Sequence, residues 1–278
     1  MRDVSFHRAR FRALHENGCF VIPNPWNLGT VRALEGLGYE ALATTSAGFS
    51  FSRGLPDSPQ ALTVDAVLDH VAEIVAGAEV PVNADFQSGY ATDIEGLMAN
   101  VRRCVATGVA GLSIEDATGA PEKPLYGLSE AVERVRAARA AIDSCGEDVL
   151  LTARAECFLV GHPDPLRECV RRLQAYANAG ADVLFAPGPY ERHDVRTIVE
   201  SVHPKPVNVL VSANTGLDVS QLAELGVRRV SVGSALARSA WGAFLRAARG
   251  IAEEGSFAGL DGAATFAELN TMFEGPPG

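Results

Sequence analysis

Lysine is almost absent from this chain of 278 residues. Of its 24 basic residues, only Lys123 and Lys205 are lysines. A mechanism that needs a lysine Schiff base at the end of a buried strand has little to draw on, because Lys123 falls in a loop and Lys205 precedes an apolar run. Cysteine is sparse and odd in number: Cys19, Cys104, Cys145, Cys157 and Cys169, with no CxxC pair. That spacing argues against a structural zinc site or a disulfide framework, so a reducing, cytoplasmic setting is expected. No apolar run is long enough to span a bilayer. The opening segment, MRDVSFHRARFRALHENG, has no apolar signal core and is expected to be a mature helix. Positive charge is in deficit, with a formal net charge of −10. An acidic surface repels phosphate backbones and anionic membranes, so neither nucleic acid nor a membrane is an expected partner. An anionic substrate would need a local positive centre, from an arginine or a metal ion.

What the chain does have is alternation. Eight short, apolar, β-branched runs lie at 19–22, 41–45, 80–84, 110–115, 148–153, 182–186, 206–211 and 228–232. They are nearly continuously apolar, as parallel strands covered on both faces should be. Amphipathic helical segments separate them, for example 64–77, 94–108, 128–142 and 165–180. Gly108, Gly180 and Gly226 stand where helices are expected to stop. Eight strand-then-helix units predict a (β/α)₈ TIM barrel forming one domain over 1–278. A C-terminal helical tail, 255–278, carries the run FAELNTMF (266–273) and is placed to pack against a partner subunit. The competing architecture is an open doubly wound sheet, which lacks its dinucleotide glycine fingerprint after the first run.

Barrels of this kind place their active sites at the C-terminal ends of the strands. Those ends carry Asn24, Ser46-Ala47-Gly48, Asp85, Glu115-Asp116, Arg154, Glu156, Asn208, Ser212, Asn214, Gly233 and Ser234. Asp85, Glu115 and Asp116 are carboxylates on neighbouring strands, and carboxylates are the ligands Mg²⁺ and Mn²⁺ favour. Asp57, in the GLPD turn, could join them as an outer partner. Any one of these acids is explained as well by a helix cap or a salt bridge, so the metal reading rests on the group. Arg154 is expected to face the mouth, where its guanidinium could hold a carboxylate, pair with Glu115 or Glu156, or do both. The Ser46-Ala47-Gly48 turn offers N–H groups and a hydroxyl suited to a carboxylate or enolate, and an ordinary turn explains it equally. Of the six histidines only His162 falls near this rim, and a surface role is expected for all of them.

Seven pieces in order, TTSAGFSFSRGLPD (44–57), VNADFQSGY (82–90), GVAGLSIED (108–116), LLTARAE (150–156), AYANAGADVLF (175–185), PVNVLV (206–211) and LGVRRVSVG (225–233), resemble the isocitrate lyase/phosphoenolpyruvate mutase superfamily from about Phe20 to Ala247. The resemblance implies a barrel whose eighth helix is swapped between paired subunits, in a homo-oligomer such as a dimer or tetramer. It implies Mg²⁺ (or Mn²⁺) held mainly through water near Asp85, Asp57 and Glu115. It implies a 2-oxo acid carboxylate held by Ser46, Ala47 and Gly48 with Arg154 and Asn208, and a C–C or P–C bond broken through an enolate that the metal and arginine stabilise.

Departures from the family pattern narrow the activity. The usual Asp-x-Asp-x-Gly-Tyr reads here as Asn83-Ala84-Asp85 with two extra residues before Gly89-Tyr90. The lyases' cysteine-bearing loop is replaced by ATGAPEKPLYG (117–127), which leaves Tyr126 or Tyr90 as proton-donor candidates. The glutamate the lyases keep after the sixth run and the mutase's Lys-Thr-Asn loop are both absent. The expected activity is lyase chemistry on a small 2-oxo acid or related di- or tricarboxylate, of oxaloacetate decarboxylase type or as a weak isocitrate or methylisocitrate lyase, with Arg154, Glu115 and Tyr126 as its catalytic groups. The alternatives are a phosphonopyruvate-type mutase or hydrolase, a 2-oxo acid binder without turnover, and a phosphate-binding sugar barrel using SANTG (212–216) and VGSALA (232–237).

Overall fold

The computed structural model describes residues 3–58, 61–188 and 191–274. All eight expected strands form: β1 (Phe20–Ile22), β2 (Leu42–Ala43), β3 (Val82–Asp85), β4 (Gly111–Glu115), β5 (Leu150–Arg154), β6 (Val183–Ala186), β7 (Val207–Leu210) and β8 (Arg229–Ser231). Every pairing is parallel, in the order β1-β8-β7-β6-β5-β4-β3-β2. The remaining seam, between β1 and β2, is bridged by Ala43 N–H donating to the Pro23 carbonyl at 3.0 Å. The sheet is thus a nearly closed barrel, not an open doubly wound sheet.

Helices alternate with the strands: α1 (Val4–Leu14), α2 (Leu28–Gly36), α3 (Ser46–Ser52), α4 (Val64–Gly77), α5 (Ile94–Ala106), α6 (Leu128–Ser144), α7 (Pro165–Asn178), α8 (Arg192–Val202), α9 (Val219–Glu224), α10 (Ala235–Glu254) and α11 (Phe266–Glu274). Their caps are local chemistry. Asp93 accepts from Gly96 N–H, and Asp218 forms a capping box with Gln221. The three glycines expected to end helices adopt φ of +89° (Gly108), +104° (Gly180) and +85° (Gly226), a region costly for any residue with a Cβ.

The main core lies between the sheet and its helices, while a smaller cluster plugs the barrel's lower end. Phe11 of α1 is fully buried in that plug, against Phe20, Ala110 and Leu150. Burying such a ring stabilises by about 1.5–3 kcal/mol. Gly111 makes room for it, since a Cβ there would stand 2.7 Å from the Phe11 ring and from Asn83 Oδ1. With its lower end closed, the barrel opens only at the rim that carries the polar residues.

Candidate active site

A cavity of about 410 Å³ enters the barrel from the C-terminal ends of the strands. Ser46, Ala47, Asp57, Asp85, Glu115, Arg154 and Asn208 all line it. Seven positions separated by up to 162 residues therefore meet in one place, because six follow or end a strand of the same parallel sheet and Asn208 points inward from β7. Asn24 secures the rim: its Nδ2 donates to the Thr44 carbonyl, and its Oδ1 accepts from Val232 and Gly233 N–H. One amide thereby ties together the ends of β1, β2 and β8.

Ser46-Ala47-Gly48 is not a free turn. It is the first turn of α3, capped by Thr45, whose hydroxyl accepts from Gly48 N–H at 3.2 Å. Gly48 is buried behind the cavity wall, so the expectation that its N–H meets a ligand is corrected. Ser46 is also engaged: its N–H and its hydroxyl both donate to Asp85 Oδ2, at 2.9 and 3.0 Å. Ala47 N–H is the one first-turn donor of α3 with no partner among the described residues, and Ala47 faces the cavity.

Arg154 is the hub of the charged rim. It ion-pairs closely with Glu156 and lies 3.4 Å from Glu115 Oε2 and 3.7 Å from Asp85 Oδ1. Its guanidinium also sits 5.0 Å from the centre of the Phe185 ring. Three carboxylates thus share one guanidinium. Burial pushes Glu115 well above the ordinary carboxylate range, against the pull of Arg154, and it raises Glu156 in the same way. Asp57 is exposed as a residue and lines the cavity mouth; partial desolvation there and then the charge of Asp85 raise its pKa.

This surplus of acid bears on the expected cation. Among the described residues no three His, Cys, Asp or Glu side chains converge closely enough to chelate an ion directly. Asp57, Asp85 and Glu115 nevertheless face one cavity with only Arg154 in ion-pair reach of the latter two. Hard oxygen donors in excess of local positive charge fit a hydrated Mg²⁺ or Mn²⁺ held through its waters.

Other sequence expectations move. Asp116 is buried and spent: it accepts from Glu156 N–H at 2.8 Å, from Arg172 Nη1 at 2.9 Å and from the Tyr176 hydroxyl. It braces β4, β5 and α7 instead of facing the cavity. Tyr126 does not line the cavity; its ring lies 4.5 Å under the Arg134 guanidinium. The Tyr90 hydroxyl is buried with no hydrogen-bond partner among the described residues, and burial followed by the charges of Asp85 and Glu115 pushes its pKa upward. The loop after β3 also reads differently. Gln87 lines the cavity two residues after Asp85, while Asn83 lies deeper on the same strand. Asp85-Phe86-Gln87-Ser88-Gly89-Tyr90 therefore fits Asp-x-Asp-x-Gly-Tyr without insertion, and the amide replacing an acid is Gln87. Gln87 and Tyr90 hold φ of +43° and +52°, strain of about 1–3 kcal/mol each stored beside the site.

Arg229 and Arg238 also line the cavity, as does Glu156, an expected ion-pair partner of Arg154. Glu156 stood at a strand end and was legible by position. Arg229 was hidden, because a basic residue beginning an apolar run reads as a boundary.

The phosphoenolpyruvate phosphomutase family profile matches residues 11–252. Rv1998c of Mycobacterium tuberculosis is 30% identical over 244 residues, covering 87% of this chain and 89% of that protein. Oxaloacetate decarboxylase of Paraburkholderia xenovorans is 29% identical over 236 residues, 82% of this chain and 75% of that enzyme. The crystal structure of a candidate lyase/mutase from Burkholderia cenocepacia J2315 superposes with a TM-score of 0.93 at 44% identity, covering 98% of each chain. With the barrel, the acid-rich rim and these matches together, the chain belongs to the phosphoenolpyruvate phosphomutase family, within the isocitrate lyase/phosphoenolpyruvate mutase superfamily of lyases and mutases.

Proposed function

We propose that this protein is a divalent-cation-dependent lyase that cleaves a C–C bond in a small 2-oxo acid, with oxaloacetate as the first candidate. The observation that carries this reading is the rim: Arg154 set among Asp85, Glu115 and Glu156, with Asp57 alongside, over a cavity sized for a small acid. Arg154, the Ala47 N–H and Asn208 orient the substrate carboxylate and the developing enolate charge. Ser46 acts through Asp85, fixing its carboxylate with two hydrogen bonds. Asp57, Asp85 and Glu115 would hold the cation, which would supply Lewis-acid polarisation of the 2-oxo group.

Decarboxylation is favoured over retro-aldol cleavage because it needs no base to take a proton from a substrate hydroxyl, and the two acids of raised pKa that line the cavity, Glu115 and Glu156, are both engaged by Arg154. Among the described residues no tyrosine, cysteine, histidine or lysine lines the cavity. In decarboxylation the C3–C4 bond breaks, CO₂ leaves, and the electron pair stays as the enolate of pyruvate. Water at the open rim then protonates C3. The related oxaloacetate decarboxylase supports the same choice.

Assembly as a homo-oligomer through α10 belongs to the same proposal. That helix buries only Ala237 within its own chain and exposes Leu236, Trp241, Phe244, Leu245 and Ile251. An apolar face of this extent suits the barrel of a second copy. The activity is tested by incubating the protein with oxaloacetate, isocitrate, methylisocitrate and phosphonopyruvate, with and without Mg²⁺. Mg²⁺-dependent release of pyruvate from oxaloacetate is the expected result. If no substrate yields a metal-dependent product, the lyase reading falls.

A further inference from the structure

Arg229 is a buried cation without an acid. It opens β8 and is 3% exposed. Its Nε donates to Asn208 Oδ1 at 2.8 Å, its Nη2 donates to Thr152 Oγ1 at 3.0 Å, and its Nη1 faces His15 Nε2 at 3.3 Å. All three partners are neutral. His15 Nδ1 lies 2.8 Å from the Phe11 carbonyl, so Nδ1 carries the proton and Nε2 accepts. Burial first, and the charge of Arg229 second, push the His15 pKa down to about 3. Among the described residues no carboxylate lies within ion-pair distance of Arg229. Among the other buried arginines, Arg8 and Arg172 pair with Glu147 and with Asp116 and Glu168, while Arg134, which also has no acid, donates to the Ser88, Ala91 and Thr92 carbonyls away from the cavity; Arg229 has neutral side-chain partners and lines the cavity itself. A guanidinium taken out of water with no counter-ion is costly to the fold, so its retention calls for a reason.

The reason lies in what Arg229 touches. With Asn208 and Ser231 it lines the lower part of the cavity. Asn208 is wholly buried, and its amide is fixed at both ends: Oδ1 accepts from Arg229, and Nδ2 donates to Ser231 Oγ at 2.9 Å. Arg229 thereby sets which end of the amide is the donor and leaves one Nδ2 hydrogen for a ligand. Thr152, which Arg229 also binds, lies two residues before Arg154 on the same inward face of β5, roughly 6.6 Å along the strand. The floor cation therefore stands about one layer beneath the rim cation.

We propose that Arg229 is a positioning and specificity residue, which locks Asn208 as a hydrogen-bond donor and gives the cavity floor a positive charge that no carboxylate of the described residues contacts and that the anion of a bound substrate pairs with. The inference rests on the 2-oxo acid reading and deepens it: the pocket selects the ionised acid over its neutral analogues, and it does so from below as well as from Arg154 above.

Pyruvate and its uncharged amide, pyruvamide, separate charge from shape. Their affinities are measured by calorimetry on the full chain with Mg²⁺. The wild type is expected to prefer pyruvate. In Arg229→Gln that preference should fall at least tenfold, while Arg229→Lys, which keeps the charge, should restore most of it. A purely structural arginine would weaken both ligands alike and leave the ratio unchanged, and that result would overturn the proposal. Asn208→Asp gives Arg229 an internal counter-ion with almost no change of shape, so it serves even where Arg229→Gln does not fold. It too should lose the preference, and a preserved ratio overturns the proposal. A wild type that binds neither ligand refutes the 2-oxo acid reading itself.

Discussion

Replacing Arg154 with methionine removes the charge at the centre of the rim and keeps most of the side-chain volume. In the native protein this guanidinium ion-pairs with Glu156 and stands 3.4 Å from Glu115 and 3.7 Å from Asp85. At an effective dielectric of about 20 the two longer contacts are each worth about 4–5 kcal/mol before desolvation is subtracted. Truncating one partner of a buried pair leaves a net cost of about 3–5 kcal/mol, because the other charges stay buried and unpaired. The cost should depend on pH. Burial already raises Glu115 and Glu156, and loss of Arg154 raises them further. A carboxyl whose folded-state pKa is raised holds a proton that the unfolded chain releases, so stability falls as pH rises through that window. The deficit of the variant is therefore largest near pH 8 and shrinks toward pH 5.5. Urea unfolding of both proteins at the two pH values, followed by far-ultraviolet circular dichroism, measures it, and contributions common to both proteins cancel in the difference. A deficit under about 1 kcal/mol at pH 8, or one that grows on acidification, would refute the account of three acids sharing one cation.

Three further outcomes are expected. His15 and His70 are buried and neutral, with pKa values pushed down by burial to about 3 and about 4. The unfolded chain takes up protons near pH 6.5 that the folded chain refuses, so stability falls as pH drops, by about 2 kcal/mol per histidine between pH 7 and 5. His70→Phe should flatten the pH dependence of urea unfolding by about that amount, and an unchanged slope would exclude His70 as a source. Asp116→Ala strands Arg172, the Tyr176 hydroxyl and Glu156 N–H, and should cost about 3–5 kcal/mol, seen as a melting point lower by roughly 10 °C; a change of only a degree or two would show that Asp116 is not the brace described. Phe244→Glu on the exposed face of α10 should lower the mass measured by light scattering, and an unaltered mass would show that this face is not an interface.

The barrel was legible in the sequence because parallel strands covered on both faces must be apolar throughout, and eight such runs alternate with amphipathic segments. Every predicted run forms a strand, each beginning one or two residues later than expected, with β3 and β5 running on to Asp85 and Arg154 at the rim. The convergence of Ser46, Asp85, Glu115, Arg154 and Asn208 was legible for a related reason: in a parallel barrel the end of each strand is an address, and all eight addresses share one mouth.

The sequence could not say how each side chain at that mouth is used. Ser46 was expected to hold a ligand, and its N–H and hydroxyl both donate to Asp85. Asp116 sits beside Glu115 in the chain, yet consecutive residues of a strand face opposite ways, so one faces the cavity while the other braces the outer layer. Tyr126 was a chemical candidate by loop position, and packing placed it beneath Arg134. Arg229 carries no local signal at all. Its meaning depends on Asn208, Thr152 and His15, which lie 21, 77 and 214 residues away along the chain, and on the absence of an acid among them. Periodicity along the chain fixes which face of an element is apolar, and so it determined the architecture. Hydrogen-bond partners and counter-ions are chosen across the barrel, at separations no local pattern records, and so only the tertiary structure decided them.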